Sequence, residues 1–320
     1  MWKPTTARAR AVIRRVRSLL PPLVCALGLA GCGAVVPPAG EPLAPTFFEP
    51  DVAAHAQLLA VHGFNDHQTA FASFAAFAAD RGVLVETYDQ QGFGRNANWG
   101  YWPGRAVLVA DLAARIEARH AARPDLPLYV LGESMGAAVA VVTLAEHPEL
   151  PVAGVVLSAP AVWGGEAMNP FYRAVLWLAA HVAPGWRLTG EGLGVQASDD
   201  IEMLRALGRD PLFIKATRVD ALAGLVGLME RARDDGPALV LPRLVLAGAR
   251  DEVVPPEAID SFVATLKPEA CRYVRYEEGW HMLLRDLQRE RVWRDVLGWI
   301  EAPAAFTGSP CGTASADAGS

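Results

Sequence analysis

The tightest constraint on this chain is five residues long. Gly132-Glu133-Ser134-Met135-Gly136 follows an apolar run, Leu128–Leu131, and passes straight into an Ala/Val-rich helical stretch, Met135–Glu146. A backbone can turn from strand to helix that sharply only where flanking residues lack side chains and the central residue accepts strain. The motif therefore fixes a strand, a helix folded back on it and a serine presented at the strand's carboxyl end. The helix N-terminus behind that serine favours negative charge.

The rest of the chain repeats the same alternation of apolar strand, Gly/Asn/Asp turn and helical segment. Predicted strands are Gln57–Val61, Val83–Tyr88, Leu128–Leu131, Val152–Leu157, Arg243–Ala247 and Arg272–Tyr276. Predicted helices are Gln68–Asp80, Arg105–Ala122, Met135–Glu146, Pro256–Leu266 and Leu284–Trp299. Such alternation implies an α/β fold with a mostly parallel sheet flanked by helices on both faces. Residues 161–236 break it: they show aromatic residues at helical spacing and no clear strand, so they read as a helical insertion.

A serine hydroxyl needs a base, and the base needs an orienting acid. After a turn of this kind the chain order is serine, acid, histidine. Of seven histidines, His281 is the one in the loop after the last long strand. The loop after Arg243–Ala247 offers Asp251, with Glu252 beside it as a rival. Two backbone N–H groups must receive the developing oxyanion. Met135 N–H, next after the serine, is one candidate. Phe64 N–H, in the His62-Gly63-Phe64-Asn65 loop, is the other, and His62 reads as a brace for that loop. Gly92-Phe93-Gly94 does not extend to a dinucleotide fingerprint, because Ala97 stands where the third glycine belongs.

These motifs resemble the α/β-hydrolase fold, and within it the monoacylglycerol lipase/lysophospholipase group, the serine aminopeptidase S33-like hydrolases. The resemblance covers about Leu58 to Ile300. It rests on His62 to Asp66, Tyr88 to Arg95, the turn at Gly132–Gly136, Gly248 to Asp251 and Gly279-Trp280-His281. It implies Ser134 as nucleophile, Asp251 as acid, His281 as base, and Phe64 and Met135 as oxyanion donors. It implies no cofactor and no metal, and makes the insertion, with Arg209-Asp210-Pro211-Leu212, a helical cap. One departure stands out. Members of this group usually begin with a β-hairpin, but Pro50 and Asp51 interrupt the short stretch available here.

The cap segment Pro170–Trp186 is almost uncharged, with Phe171, Tyr172, Trp177 and Trp186 among its residues. That suits an acyl chain, and equally suits packing of the cap on the body. The expected substrate is a carboxylic ester, monoacylglycerol or lysophospholipid. A peptidase of the same fold would need acids near the site, and Glu191, Asp199, Asp200 and Glu202 are available. A non-catalytic ligand-binding lipoprotein is the remaining alternative.

Charge is distributed unevenly. The chain has 29 basic and 35 acidic side chains, net −6. Six of the basic groups fall in residues 1–31, which contain no acid, so the remainder is net −12. An acidic body lacks the basic footprint of a nucleic-acid binder. A basic start, an apolar run (Leu19–Ala30) and Leu29-Ala30-Gly31-Cys32 read as an export signal and resemble the bacterial lipobox. Residues 1–31 are thus expected to be a lipoprotein signal peptide. Cys32 is the lipid attachment point, and the membrane is a partner through its acyl chains. The expected location is the bacterial cell envelope at the periplasmic face, with outer membrane preferred. Residues 32–56 are expected to be a tether with room for short N-terminal strands, 57–160 and 237–301 the α/β-hydrolase core, 161–236 the helical cap and 302–320 a flexible tail. Cys271 and Cys311 are candidates for pairing in an oxidising compartment, which spacing alone does not decide.

Overall fold

A computed structural model describes residue 40 and residues 42–164, 169–190 and 194–312. The expectations for residues 1–31, for Cys32 and for Glu191 lie outside these residues.

One sheet organises the body. Its strands are β1 (Thr46–Phe48), β2 (Ala56–Val61), β3 (Val83–Thr87), β4 (Leu128–Glu133), β5 (Gly154–Ser158), β8 (Arg243–Gly248), β9 (Cys271–Tyr276) and β10 (Ser309–Pro310). Their spatial order is β1-β3-β2-β4-β5-β8-β9-β10. The six central strands run parallel, and β1 and β10 lie antiparallel at the two edges. Parallel strands covered on both faces must be apolar on both faces. Successive residues of β2, β4, β5 and β8 accordingly alternate between two cores. Leu59, Val61, Val130, Val155 and Val245 pack with helices α2 (Arg105–Ala122), α3 (Met135–Glu146) and α7 (Pro256–Thr265). Leu58, Leu131, Val156 and Leu244 pack with α1 (Ala72–Ala79) and α8 (Arg289–Glu301).

Between β5 and β8 the chain makes α4 (Pro170–Val182), β6 (Arg187–Thr189), α5 (Ile201–Arg209), β7 (Ala216–Arg218) and α6 (Val219–Asp235). The insertion is therefore not purely helical, because β6 and β7 form an antiparallel ribbon. Two three-residue strands separated by a helix carry no readable alternation.

Three further differences have local causes. Before β2 the described residues hold one short strand, β1, paired to β3. Helix α8 begins at Arg289 rather than Leu284, because residues 281–288 are drawn into turns by the side-chain contacts of Arg285 and Asp286. The tail expected to be flexible from residue 302 is tied down as far as Gly312. Its strand β10 pairs with β9, and Cys311 is disulfide-bonded to Cys271.

Candidate active site

The strand-to-helix turn carries the strain its sequence implied. Ser134 sits at φ 54°, ψ −114°, a region disfavoured for residues with a side chain. It is held there by Ser134 N–H donating to Ser158 O at 2.9 Å and by Ala161 N–H donating to Ser134 O at 3.0 Å. A Cβ on Gly136 would lie 2.0 Å from Val61 O, and one on Gly132 would lie 2.4 Å from Ala137 N. Neither position has room for a side chain.

Three loops at the carboxyl ends of the strands converge on this serine. His281 follows β9, and its Nε2 lies 2.9 Å from Ser134 Oγ. Its Nδ1 lies 2.8 Å from Asp251 Oδ2. Asp251 follows β8, and its Oδ1 accepts from Val253 N–H and Val254 N–H at 2.8 and 2.9 Å. The two amides fix the carboxylate so that its other oxygen faces the imidazole. Ser134, Asp251 and His281 are all buried. Glu252, the rival acid, instead accepts from Gln196 N–H. Burial alone would depress the His281 pKa, but the Asp251 charge and hydrogen bond outweigh it. With a further contribution from Glu133, they raise the pKa above its ordinary 6.5.

The loop after β2 lies against the serine. A Cβ on Gly63 would be 3.4 Å from Ser134 Cβ, so a side chain there would touch Ser134. Phe64 lines the same cavity as Ser134, and its ring packs edge-on against Phe93 at 5.7 Å. Met135 is the first residue of α3 and fully buried. His62 is a brace: its Nε2 accepts from Gln90 N–H at 3.0 Å, so Nδ1 donates to Gly63 O at 2.8 Å. Burial lowers its pKa and keeps it neutral.

Residues that the sequence reading missed tie these loops together. Arg285 Nη2 lies 2.7 Å from both Glu133 Oε1 and Asp66 Oδ2. Glu133 precedes Ser134, Asp66 ends the Phe64 loop, and Arg285 follows His281. Burial opposes the guanidinium's charge, but the two carboxylates outweigh it and raise its pKa. The available signal was an arginine four residues beyond His281, directly after the apolar run Met282-Leu283-Leu284. Asn65, at φ 65°, binds the cap: its Nδ2 donates to Thr217 Oγ1 at 2.7 Å, and its carbonyl accepts from Ile214 N–H at 2.9 Å.

Above Ser134 is a cavity of about 500 Å³, walled by Trp163, Leu176, Phe213, Leu225, Val226 and Met229. The acids in its lining besides the buried Asp66 and Glu133 pair are none among the described residues. The three described acids proposed for an amine site are all engaged elsewhere. Asp199 accepts from Leu287 N–H, Asp200 caps α5 and meets Arg289, and Glu202 pairs with Arg205.

The parallel sheet, the strained serine turn and the inserted cap define an α/β-hydrolase, and the chain is a serine hydrolase. Residues 52–288 match the family described as serine aminopeptidase, S33. The chain belongs to that family. Among relatives, it is 27% identical over 260 residues to a monoacylglycerol lipase of Mycolicibacterium smegmatis, covering 78% of this chain and 90% of the relative. It is 24% identical over 275 residues to a monoglyceride lipase of Homo sapiens, covering 84% and 90%. The solved monoacylglycerol lipase of Paleococcus ferrophilus superposes with a TM-score of 0.69 at 19% identity, covering 82% of this chain and all of that one.

Proposed function

We propose that this protein hydrolyses carboxylic esters of long acyl chains, monoacylglycerol or lysophospholipid, through an acyl-enzyme on Ser134. The observation that carries the reading is the apolar cavity above Ser134, whose acids are neutralised by Arg285 rather than left free for an α-ammonium group. Lipases among the relatives agree with it. His281 Nε2 takes the Ser134 proton as Oγ attacks the ester carbonyl, and Asp251 holds the imidazole tautomer and steadies its positive charge. Phe64 and Met135 N–H receive the oxyanion. His281 then protonates the leaving alcohol, and water repeats the sequence on the acyl-enzyme.

The test sets monoacylglycerols beside amino-acid amides, with Ser134→Ala and a fluorophosphonate label as controls. Loss of both hydrolysis and labelling in the variant is expected. Faster cleavage of amides than of esters would favour the peptidase reading, and absence of labelling in the wild type would favour a non-catalytic lipid binder.

The proposal includes the location. Cys32 is acylated and holds the protein on the periplasmic face of the bacterial envelope, with outer membrane preferred. The Cys271–Cys311 disulfide supports an oxidising compartment. Labelled palmitate should enter the wild type and not Cys32→Ala; equal incorporation in both would refute the anchor.

A further inference from the structure

Two side chains that close the Ser134 cavity, Leu176 of α4 and Val226 of α6, also line a second cavity of about 410 Å³. It lies between the same two helices, with Ala174, Trp177, Ala223 and Gly227 in its lining. We propose that this groove is the distal acyl site, taking the terminal methylenes of a chain whose carbonyl sits at Ser134. The inference rests on the ester reading above and extends it to the length of chain the enzyme accepts.

Continuity is the first argument. Leu176 and Val226 stand between the two spaces, so a chain that passes them leaves one apolar cavity and enters another without crossing a polar wall. Composition is the second. Glycine inside a helix is disfavoured relative to alanine, so two glycines in the middle of α6 need a reason. Gly224 has one in close packing: a Cβ there would fall 2.2 Å from Trp102 Nε1. Gly227 has no such neighbour, since a Cβ there would meet nothing within 4 Å. What the missing side chain leaves at Gly227 is open space, in the lining of the groove. Charge is the third argument. The groove's charged residues are opposed in sign, Arg173 and Glu230, so it offers no net charge to a headgroup. An apolar chain is the ligand that fits.

The open space at Gly227 makes the test clean. Gly227→Leu starts a side chain at a Cβ position that meets nothing within 4 Å, in the lining of the groove, and Ala174→Phe fills it from the opposite wall. Both full-length variants are assayed with 1-monoacylglycerols from C8 to C18. Each added methylene buried contributes several-fold to kcat/KM at a hydrophobic site. The expected result is a fall of about ten-fold in the ratio of kcat/KM for C16 over C8 in both variants. An unchanged ratio in both, with a wild type that prefers C16, overturns the groove and leaves the ester reading standing. A wild type that cleaves C8 faster than C16 overturns the groove and the long-chain part of the proposed function, and leaves ester hydrolysis itself standing. A wild type inert towards every monoacylglycerol overturns the ester reading and the groove together.

Discussion

Asp286 is a fully buried carboxyl group in the turns that precede α8. It accepts from Ser198 Oγ at 2.7 Å and from Trp280 N–H at 2.8 Å, and so joins the cap's descending segment to the residue before His281. Burial pushes its pKa from 3.8 to about 6. The two hydrogen bonds oppose that rise, and the charges of Asp199 and Glu133 add to it. The folded protein therefore keeps this proton over a range in which the unfolded chain has released it. The stability it contributes is complete below pH 3.8 and is lost as the pH rises through about 6. Over that interval the loss is at most about 3 kcal/mol. Asp286→Asn keeps the shape, an acceptor for Trp280 N–H and a donor for Ser198 Oγ, but cannot ionise. Urea unfolding of both proteins between about pH 4 and pH 7 isolates the difference, since every other titrating group is common to them. The variant should gain on the wild type by about 2–3 kcal/mol as the pH rises through that range. A difference that stays flat to within about 0.5 kcal/mol would show that burial does not hold the Asp286 proton, and the reasoning would fail.

The raised pKa of His281 should put the acid limb of kcat/KM above the ordinary histidine value of 6.5, because only the neutral imidazole accepts the serine proton; a midpoint below 6.5 would contradict it. Asp251→Asn should reduce kcat by about 10⁴-fold while leaving the fold intact by circular dichroism. Arg285→Met leaves Glu133 and Asp66 buried without their cation, and should cost about 3–5 kcal/mol by urea unfolding. Adding Glu133→Gln and Asp66→Asn should recover most of that loss, and the single variant should also shift the acid limb upward, since Arg285 lowers the His281 pKa. Cys311→Ser opens a loop of 40 residues and should cost about 4 kcal/mol by the chain-entropy estimate. A reductant should bring the wild type down to the variant's stability and leave the variant unchanged.

The parts of the site that were legible in the sequence are those set by local chain geometry. Gly132 and Gly136 announce a turn that admits no side chain, and the strands ending before Asp251 and His281 place both residues at the same sheet edge as Ser134. Glu133, Asp66 and Arg285 were not legible, because charged residues beside loops are ordinarily solvated. Only their convergence from three separate segments makes them a buried set. The ribbon of β6 and β7 escaped for a similar reason: Arg187–Thr189 and Ala216–Arg218 find each other across 26 residues, with too few positions to show a period of two. A strand made of Ser309 and Pro310 has no sequence signature, and the disulfide beside it holds it in place.

The two flanking strands of the sheet decide how the protein behaves when crowded. A long outermost strand would offer a row of unpaired amides and carbonyls to the next molecule and template its addition. Here one flank ends in three residues and the other in two, the second containing a proline that has no N–H to donate. The disulfide at Cys311 acts as a clasp on that second flank, tying the residue after β10 to the first residue of β9. For a protein proposed to be held on a lipid surface, these short outer strands leave neighbouring copies little edge on which to extend a common sheet.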